Sequence, residues 1–288
     1  MKGKSIGICL FSVLLCMALA FSSWAGQIVT DETRLWAKGA LQKEKTLETT
    51  GASKTLAVLY FHNKTGWSKL DLLQKGLTIM LMTDLSKVKE IQLVERVKLQ
   101  ALLEELDLGV SGLVESENSS RVGRLLGASL LVGGDIVKEK PDEFGLKSGL
   151  LSVPTEQLLG KPRARGKLLA ELFRMEKDLL FQIIKLLKIE LSAELESELR
   201  EPMAASIDAL LYLFEGIENS DQGDYGKAAD SYGKALEEDP GLVLAIIAIR
   251  EIYKERRDEG AKEKKAPPPR PRKPCAAERN KFIKNLRR

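Results

Sequence analysis

The chain has 288 residues, of which 44% are hydrophobic and 30% charged, and its formal net charge at pH 7 is +4. This length is enough for one full hydrophobic core with a smaller attached unit. An aromatic share of 6%, 10 Pro and three Cys exclude collagen-like, low-complexity and disulfide-dense scaffolds.

Residues 1–25 have the pattern of a secretory signal peptide. Two lysines form a basic start, residues 6–21 are mostly apolar, and the small residues Ser23 and Ala25 suit cleavage directly after Ala25. The alternative is a retained membrane anchor, since about 18 apolar residues are enough to span a bilayer. The processing pattern favours removal and therefore export of the mature chain.

The cysteines argue against a lipid anchor and against disulfides. A lipidated cysteine follows a small residue, whereas Cys9 follows Ile8 and Cys16 follows Leu15. After removal of the signal peptide Cys275 is the only cysteine, so no intramolecular disulfide can form in an oxidising compartment. We therefore expect the packed core to stabilise the protein and Cys275 to be an idle thiol.

Residues 26–53 are predicted to be a linker, and residues 54–190 alternate strand and helix patterns. Short apolar runs predict strands, and apolar residues at three- and four-residue steps predict helices. The predicted strands are 55–61, 91–95, 128–137 and 144–153, the predicted helices are 69–88, 96–106 and 119–126, and residues 107–117 are a predicted loop. Gly133 and Gly134 are interpreted as a β-bulge. This order predicts an α/β fold, a small sheet with helices packed on it.

The sequence contains no recognisable catalytic, cofactor-binding or metal-binding motif. The single histidine, His62, has no second His and no Cys of the core to work with, which argues against Ser-His-Asp, Cys-His and zinc chemistry. No Gly-rich phosphate-binding motif is present. Arg121 and Arg124 could form an anion site, but ordinary surface roles are the simpler interpretation. We therefore predict a protein that is not an enzyme and uses no cofactor or metal.

Beyond residue 166 the pattern is entirely helical. Residues 168–189 are predicted to form a long helix, and residues 192–201 a short helix that ends at Pro202. The residues expected to face inward from the long helix are Leu169, Leu172, Phe173, Leu180, Ile183, Ile184 and Leu187. Residues 191–258 are predicted to be an all-α unit that follows the α/β domain.

Residues 209–242 have the pattern of two paired antiparallel helices. Small residues let the helices approach, bulky residues fill the gaps between them, and a proline stops the second helix. The residues that carry this pattern, and that we expect to form the repeat and its partner-binding surface, are Tyr212, Gly216, Tyr225, Ala228, Tyr232, Ala235 and Pro240. The pattern resembles a tetratricopeptide repeat. Only one repeat is visible, and since about three are normally needed for stability, it must pack on another part of the chain or on a partner.

A very apolar segment, residues 242–249, follows the repeat-like pattern directly. It is suited to cap the repeat or to act as a docking face. The candidate residues for self-association into a homo-oligomer are Val243, Ile246 and Ile247.

The mild net charge conceals a basic tail on an acidic body. Residues 261–288 hold 11 Lys and Arg against two acidic residues, whereas residues 26–260 carry an excess of seven negative charges. The Pro-rich stretch 267–274 favours an extended polyproline II conformation. Residues 259–288 are therefore predicted to be disordered, and the sharper alternative is a peripheral contact with an anionic envelope surface. Nucleic acid would fit the charge, but export argues against it.

Three pieces of sequence in a fixed order carry a family resemblance. They are TLAVLYFHNKTG, GLTIMLMTDLSKV and IQLVERVKLQALLEELDLGVSGLVESENSSRVGRLLGASLLVGGDI. Together they resemble the periplasmic α/β domain of the curli production assembly and transport component family, CsgG, over roughly residues 54–187. The resemblance implies an exported envelope protein, related to an oligomeric outer-membrane secretion channel, and it implies no enzymatic activity.

The combined features predict a periplasmic, outer-membrane-associated scaffold or adaptor that contacts envelope or secretion-apparatus proteins. The alternative is a pore-forming secretion channel subunit of the CsgG type. Residues 135–167 do not show two pairs of alternating strands of about ten residues, which is the minimum pattern of membrane hairpins. This absence favours the scaffold over the pore.

Overall fold

The computed structural model describes residues 28–46, 54–108 and 116–265 of the chain. The predicted signal peptide, Cys275 and the Pro-rich tail lie outside the described residues, as do parts of the predicted linker and of the predicted loop 107–117. The described residues divide into two compact units, residues 28–252 and residues 253–265. The second of these consists of helix.

Among the described residues, seven strands form a mixed sheet. They are β1 (Thr55–Val58), β2 (His62–Asn63), β3 (Gln92–Leu93), β4 (Leu130–Lys140), β5 (Glu143–Ser152), β6 (Gln157–Gly160) and β7 (Arg163–Gly166). The order across the sheet is β3-β1-β4-β5-β6, with β2 also paired to β4 and β7 to β5. Strand β1 is parallel to β3 and β4, as β2 is to β4, whereas β5 is antiparallel to β4, β6 and β7.

Nine α-helices are described. They are α1 (Asp31–Gln42), α2 (Leu72–Leu85), α3 (Arg96–Glu105), α4 (Ser116–Leu125), α5 (Leu172–Leu186), α6 (Ala193–Arg200), α7 (Ile207–Asp221), α8 (Tyr225–Glu238) and α9 (Val243–Lys265). None of the helices within the described ranges combines the length and the apolar character needed to cross a bilayer.

The two faces of the sheet bury separate apolar clusters. Helices α1, α3 and α4 contribute to the cluster that contains Ala57 and Leu59. Helices α2 and α5 contribute to the cluster that contains Leu56 and Val58. Successive residues of β1 thus point to opposite faces, as strand geometry requires, and both faces are covered by helices. The predicted α/β fold class, with a run of helices after the sheet, is confirmed.

Helix α2 is buried on almost every side, because it lies between the sheet and a further layer of helices. Leu77 and Ile79 lie on different sides of the helix, and both are buried. Gly76 lies against the ring of Phe214 on α7, since a Cβ built on this glycine would be 2.4 Å from a ring carbon. The helices that follow the sheet therefore share one apolar core with it.

The prediction of a β-bulge at Gly133 and Gly134 is wrong. Both glycines lie in regular register with β5, and the register shift of this strand pair lies between Lys138 and Lys140, close to the hairpin turn. A Cβ on Gly134 would come within 2.2 Å of the carbonyl oxygen of Lys147. Glycine is needed there because the neighbouring backbone approaches closely.

The inward orientation predicted for Leu169 is also wrong, because helix α5 begins only at Leu172. Leu169 lies in the turn before the helix and its side chain is 43% exposed. Strands β6 and β7 have no counterpart among the predicted elements. Each has only four residues, and Lys161 and Pro162 separate them.

Candidate partner-binding site

Helices α7 and α8 form a helical hairpin. The Ser206 hydroxyl accepts a hydrogen bond from the backbone N–H of Ala209 at 3.1 Å and so caps the start of α7. The Asp224 carboxylate caps α8 in the same way, accepting from the N–H of Lys227 at 3.1 Å. Between the helices, Gly223 has a φ of +76°, which lets the chain reverse within a short turn.

The two helices approach closely at Gly216. A Cβ built on Gly216 would lie 2.4 Å from a ring carbon of Tyr232 on α8. Ala228, Tyr232 and Ala235 have no exposed surface. The structure therefore brings these four residues of the predicted repeat into the interior, where they hold the hairpin together and do not face a partner.

The other residues of the predicted repeat lie at the surface of the hairpin. Tyr212 and Tyr225 are half-buried, and the ammonium of Lys234 lies 5.6 Å from the centroid of the Tyr212 ring, within cation–π range. Pro240 is exposed in the turn between α8 and α9. A partner can reach these residues.

The start of α9 is apolar on more than one side. Ala245 and Ala248 are fully buried against the core, whereas Val243 is 61% exposed. Ile246 and Ile247 are half-buried. The three residues predicted for self-association thus keep part of their apolar surface accessible.

A buried ion pair, which no sequence pattern indicated, joins the hairpin to the α/β layers. Arg96, the first residue of α3, donates from Nη1 and Nη2 to the carboxylate of Asp221, the last residue of α7, at 2.9–3.1 Å. The two side chains are only 4% and 2% exposed. A paired guanidinium and carboxylate of this kind fix both distance and orientation. The contact therefore sets the position of the hairpin on the sheet.

Tyr60 and Lys75 complete this buried cluster. Arg96 also donates to the Tyr60 hydroxyl at 3.2 Å, and that hydroxyl donates in turn to a side-chain oxygen of α3 at 2.9 Å. The Lys75 ammonium on α2 lies 2.8 Å from the carboxylates of both Asp221 and Glu218. Helices α2, α3 and α7 thus meet Tyr60, two residues after the end of β1, in one polar network.

The cluster is electrically balanced near neutral pH. Burial raises the pKa of Tyr60 to about 12, so the phenol stays neutral. Burial is the largest single influence on Lys75 and Arg96 and would by itself lower the pKa of each, but the charge and hydrogen bonds of Asp221, together with the neighbouring Tyr60, outweigh it and raise both pKa values. Two cations then face the carboxylates of Asp221 and Glu218. The arrangement suits a fixed joint, because the raised pKa values keep Lys75 and Arg96 cationic beside these carboxylates.

A cleft of about 470 Å³ opens beside the cluster, between the start of α2, the end of α3 and the end of α7. Its volume falls within the range of sites that accept small groups. The lining includes four carboxylates, on Asp71, Glu104, Asp107 and Glu218, and one cation, Lys75. The cleft therefore suits a positively charged side chain better than an anion.

A second buried cluster lies between α2 and α5. The Lys177 ammonium contacts the Asp84 carboxylate directly and lies 3.6 Å from Glu176, which has no exposed surface. The partly exposed Lys87 lies at the edge of this cluster, with its ammonium 3.3 Å from the Asp84 carboxylate and 3.7 Å from the Glu198 carboxylate on α6. Burial, reinforced by the Asp84 charge, raises the pKa of Glu176 to about 8.

The residues considered for catalysis and anion binding lie beside acidic side chains. His62 lies in β2 opposite Asp135, with Nδ1 3.9 Å from its carboxylate. Arg121 donates two hydrogen bonds to Glu44, at 2.6 and 2.9 Å, and Arg124 is also ion-paired. The two arginines are thus engaged by carboxylates and do not form an open anion site. Within the described ranges, no group of three or more His, Cys, Asp and Glu side chains is placed to hold a metal ion.

The family described as curli production assembly/transport component CsgG matches residues 39–138 of the chain. The matched region runs from α1 into β4 and includes the residues of α2 and α3 that line the cleft. It supports a CsgG-like domain and confirms that part of the resemblance found in the sequence. Helices α7 and α8 lie outside the match, so the tetratricopeptide-like repeat stays a prediction.

No curated protein matches the chain. The solved LpoB C-terminal domain from Salmonella enterica is 18% identical, with a TM-score of 0.35, and the alignment covers 47% of this chain and 95% of that one. For the same domain from Escherichia coli the identity is 17%, the TM-score 0.33 and the coverage 46% and 97%. The NMR structure of Escherichia coli LpoB is 17% identical, with a TM-score of 0.33, and the alignment covers 44% of this chain and 65% of that one. Likeness at these TM-scores supports no inference about this chain.

Proposed function

We propose that the protein is a non-enzymatic periplasmic scaffold or adaptor of the cell envelope, related to curli-type assembly and secretion components, that acts through protein contacts. The observation that carries the proposal is the match of residues 39–138 to a family described as assembly and transport components. The charged groups buried beside that region support it. They form an ion-paired joint around Arg96 and Asp221, which holds the helical hairpin on the matched region.

In this proposal residues 54–190 are the CsgG-like domain and residues 191–258 a tetratricopeptide-like helical unit that binds partners. A joint that is almost fully buried holds the hairpin in one orientation, which lowers the entropic cost of binding. Tyr212 and Tyr225 then offer aromatic surface, and the acid-lined cleft accepts a cationic side chain of the partner.

Crosslinking in intact cells tests this function. The full chain, carrying an affinity tag, is expected in the periplasmic or outer-membrane fraction and is expected to capture a defined set of envelope proteins. The double variant Glu104→Lys/Asp107→Lys reverses the charge of the cleft and should lose most of this capture. A matched control, Asp142→Lys/Glu201→Lys, makes the same charge change at exposed positions away from the cleft and should keep it.

Three results would overturn the proposal. The first is recovery of the intact, uncleaved chain in the cytoplasm. The second is equal loss of capture in the cleft variant and in its control. The third is stepwise conductance when the purified protein is added to liposomes, which would favour a pore-forming subunit.

Self-association is a further part of the proposal and rests on the start of α9. Val243→Asp places a charge on a side chain that is 61% exposed, so the fold should tolerate it while an apolar contact between copies is lost. Ile246→Asp and Ile247→Asp test the same surface at half-buried positions. Light scattering should show a smaller mass for Val243→Asp than for the wild type, and an unchanged mass for Ala170→Asp, an exposed control. Equal masses for all chains would contradict self-association through this surface.

A further inference from the structure

One end of the sheet presents a row of charged side chains to solvent. Ile136, Leu146 and Ala164 lie side by side on β4, β5 and β7 and point into the core beneath α5. Because side chains alternate along a strand, the residues on either side of this row point to the opposite face. They include Lys147 and, beside it on β7, Arg163.

The two carboxylates that β4 places on this face are already engaged by lysines. Asp135 on β4 pairs with Lys64 at 2.9 Å, and Glu139, also on β4, pairs with Lys147 at 3.0 Å. Neighbouring cations, Lys147 above all, lower the pKa of Glu139, so this carboxyl stays ionised near neutral pH. The lysine charges on the face are therefore matched by acids.

The two arginines of β7 carry the positive charge on this face that is not paired with a carboxylate. Arg163 and Arg165 are both exposed, and no acidic group of the described residues lies within 4 Å of either guanidinium. They are two residues apart on one strand, so their side chains leave the same face about 7 Å apart. This face therefore ends in two cations at a fixed spacing.

Side chains of α5 hold the strand that carries these arginines. The Gln182 amide accepts from the backbone N–H of Arg163 at 3.1 Å and donates to its carbonyl oxygen at 2.8 Å. Arg174 donates to the carbonyl oxygen of Arg165 at 2.6 Å. These bonds occupy backbone groups that point away from β5, so a partner cannot add a strand there by main-chain pairing. The arginine side chains stay available on a rigid support.

We propose that Arg163 and Arg165 bind an extended acidic segment of a partner protein, with carboxylates on alternate residues. In an extended segment such carboxylates are also about 7 Å apart, and each can accept two hydrogen bonds from one guanidinium. Binding to a lipid surface would need apolar side chains to insert beside the charges. The cross-strand neighbours of Arg165 are Gly145 and Val137, and those of Arg163 are Lys147 and Asp135. The exposed Leu158 lies farther along this face, beside Gly149, so one apolar side chain accompanies the charges and not the several that insertion needs. The surface lies outside the cleft and the hairpin, so this inference goes beyond the proposed function and does not depend on it.

Titration of a labelled peptide with alternating Glu and Val tests the proposal. The full chain should bind the peptide at low ionic strength, and added salt should weaken the complex. Arg163→Gln/Arg165→Gln should weaken it about tenfold or more, because two exposed charge-assisted contacts are lost. Lys161→Gln/Lys167→Gln removes the same charge from exposed residues that flank β7 and should weaken it by less than about threefold.

A second peptide and a vesicle complete the experiment. The peptide with Gln in place of Glu should not bind. Equal binding of the two peptides, or equal losses in the Arg163→Gln/Arg165→Gln and Lys161→Gln/Lys167→Gln chains, would overturn the proposal. Binding to phosphatidylglycerol vesicles that depends on the two arginines, without binding to the acidic peptide, would also overturn it and assign the surface to lipid. Circular dichroism of each variant checks that the fold is intact.

Discussion

Replacing Glu176 by Gln should stabilise the protein above pH 4.5. Glu176 is fully buried, and the nearest ammonium, that of Lys177, lies 3.6 Å away because it is engaged by Asp84. Ionised Glu176 would thus be a buried charge with poor compensation, which is why burial raises its pKa to about 8. Gln has nearly the same shape and cannot ionise, and its amide can still donate a hydrogen bond to the Asp84 carboxylate.

The sign and the size of the effect follow from the two pKa values. Below pH 4.5, the value for a free side chain, Glu176 is protonated in both the folded and the unfolded chain, and its ionisation costs the fold nothing. Between pH 4.5 and about 8 the unfolded chain loses the proton first, so stability falls by up to about 1.4 kcal/mol per pH unit. The nearby lysine side chains can move toward an ionised Glu176 and reduce this cost. We therefore expect ionisation of Glu176 to lower the free energy of unfolding by about 2 to 4 kcal/mol in total near pH 9.

Urea denaturation of the wild type and of Glu176→Gln measures this difference. The two free energies of unfolding should be similar near pH 4.5 and should separate steadily up to about pH 8, with the variant more stable. Glu237→Gln, at an exposed position in the last turn of α8, is the control and should follow the wild type. Two results would refute the reasoning. One is a difference in the free energy of unfolding between wild type and Glu176→Gln that does not change with pH. The other is a variant that becomes less stable than the wild type as the pH rises.

Two further predictions concern the hairpin and its joint. Gly216→Ala should lower the free energy of unfolding by about 1–3 kcal/mol because its methyl group would overlap the Tyr232 ring, whereas Gly233→Ala, which meets nothing within 4 Å, should raise it by up to about 1 kcal/mol. Thermal and urea denaturation would show this contrast, and equal effects at the two glycines would contradict the close packing. Asp221→Ala should cost about 3–5 kcal/mol in urea denaturation, because it leaves the buried guanidinium of Arg96 without its carboxylate. A loss under about 1 kcal/mol would show that the pair is not a stabilising joint.

The parts of the fold that local pattern specifies were predicted from the sequence. The apolar run that begins at Thr55 gave a fully buried strand, and the apolar spacing over residues 69–88 predicted α2. In the hairpin, Gly216 and Tyr232 were placed on facing helices because small and bulky residues recur there at repeat-like spacing. These features depend on neighbours within one or two turns, so a single sequence is enough to reveal them.

The joint between the layers could not be predicted in this way. Arg96 and Asp221 are 125 residues apart. Each lies at the helix end that the helix dipole disfavours for its charge, but this does not tell which residue it pairs with. Strands β6 and β7 were missed for a related reason. Each is too short to show alternation, and both exist because the long strand β5 offers them an edge.

Glu176 was overlooked although the sequence contained a signal for it. It lies four residues from both Leu172 and Leu180, which are fully buried, so it falls on the apolar stripe of α5. A carboxylate at such a position has to be buried, paired or protonated. The helical period alone was therefore enough to single out this residue, and its partner Asp84 required the structure.

The bonds that Gln182 makes to β7 also affect how the protein behaves at high concentration. An unpaired strand at the border of a sheet is a template on which identical chains can stack into insoluble aggregates. Here a side-chain amide takes the place that a neighbouring molecule's backbone would otherwise fill. The same glutamine that holds the backbone of Arg163 thus protects this border against fibrous association between folded copies.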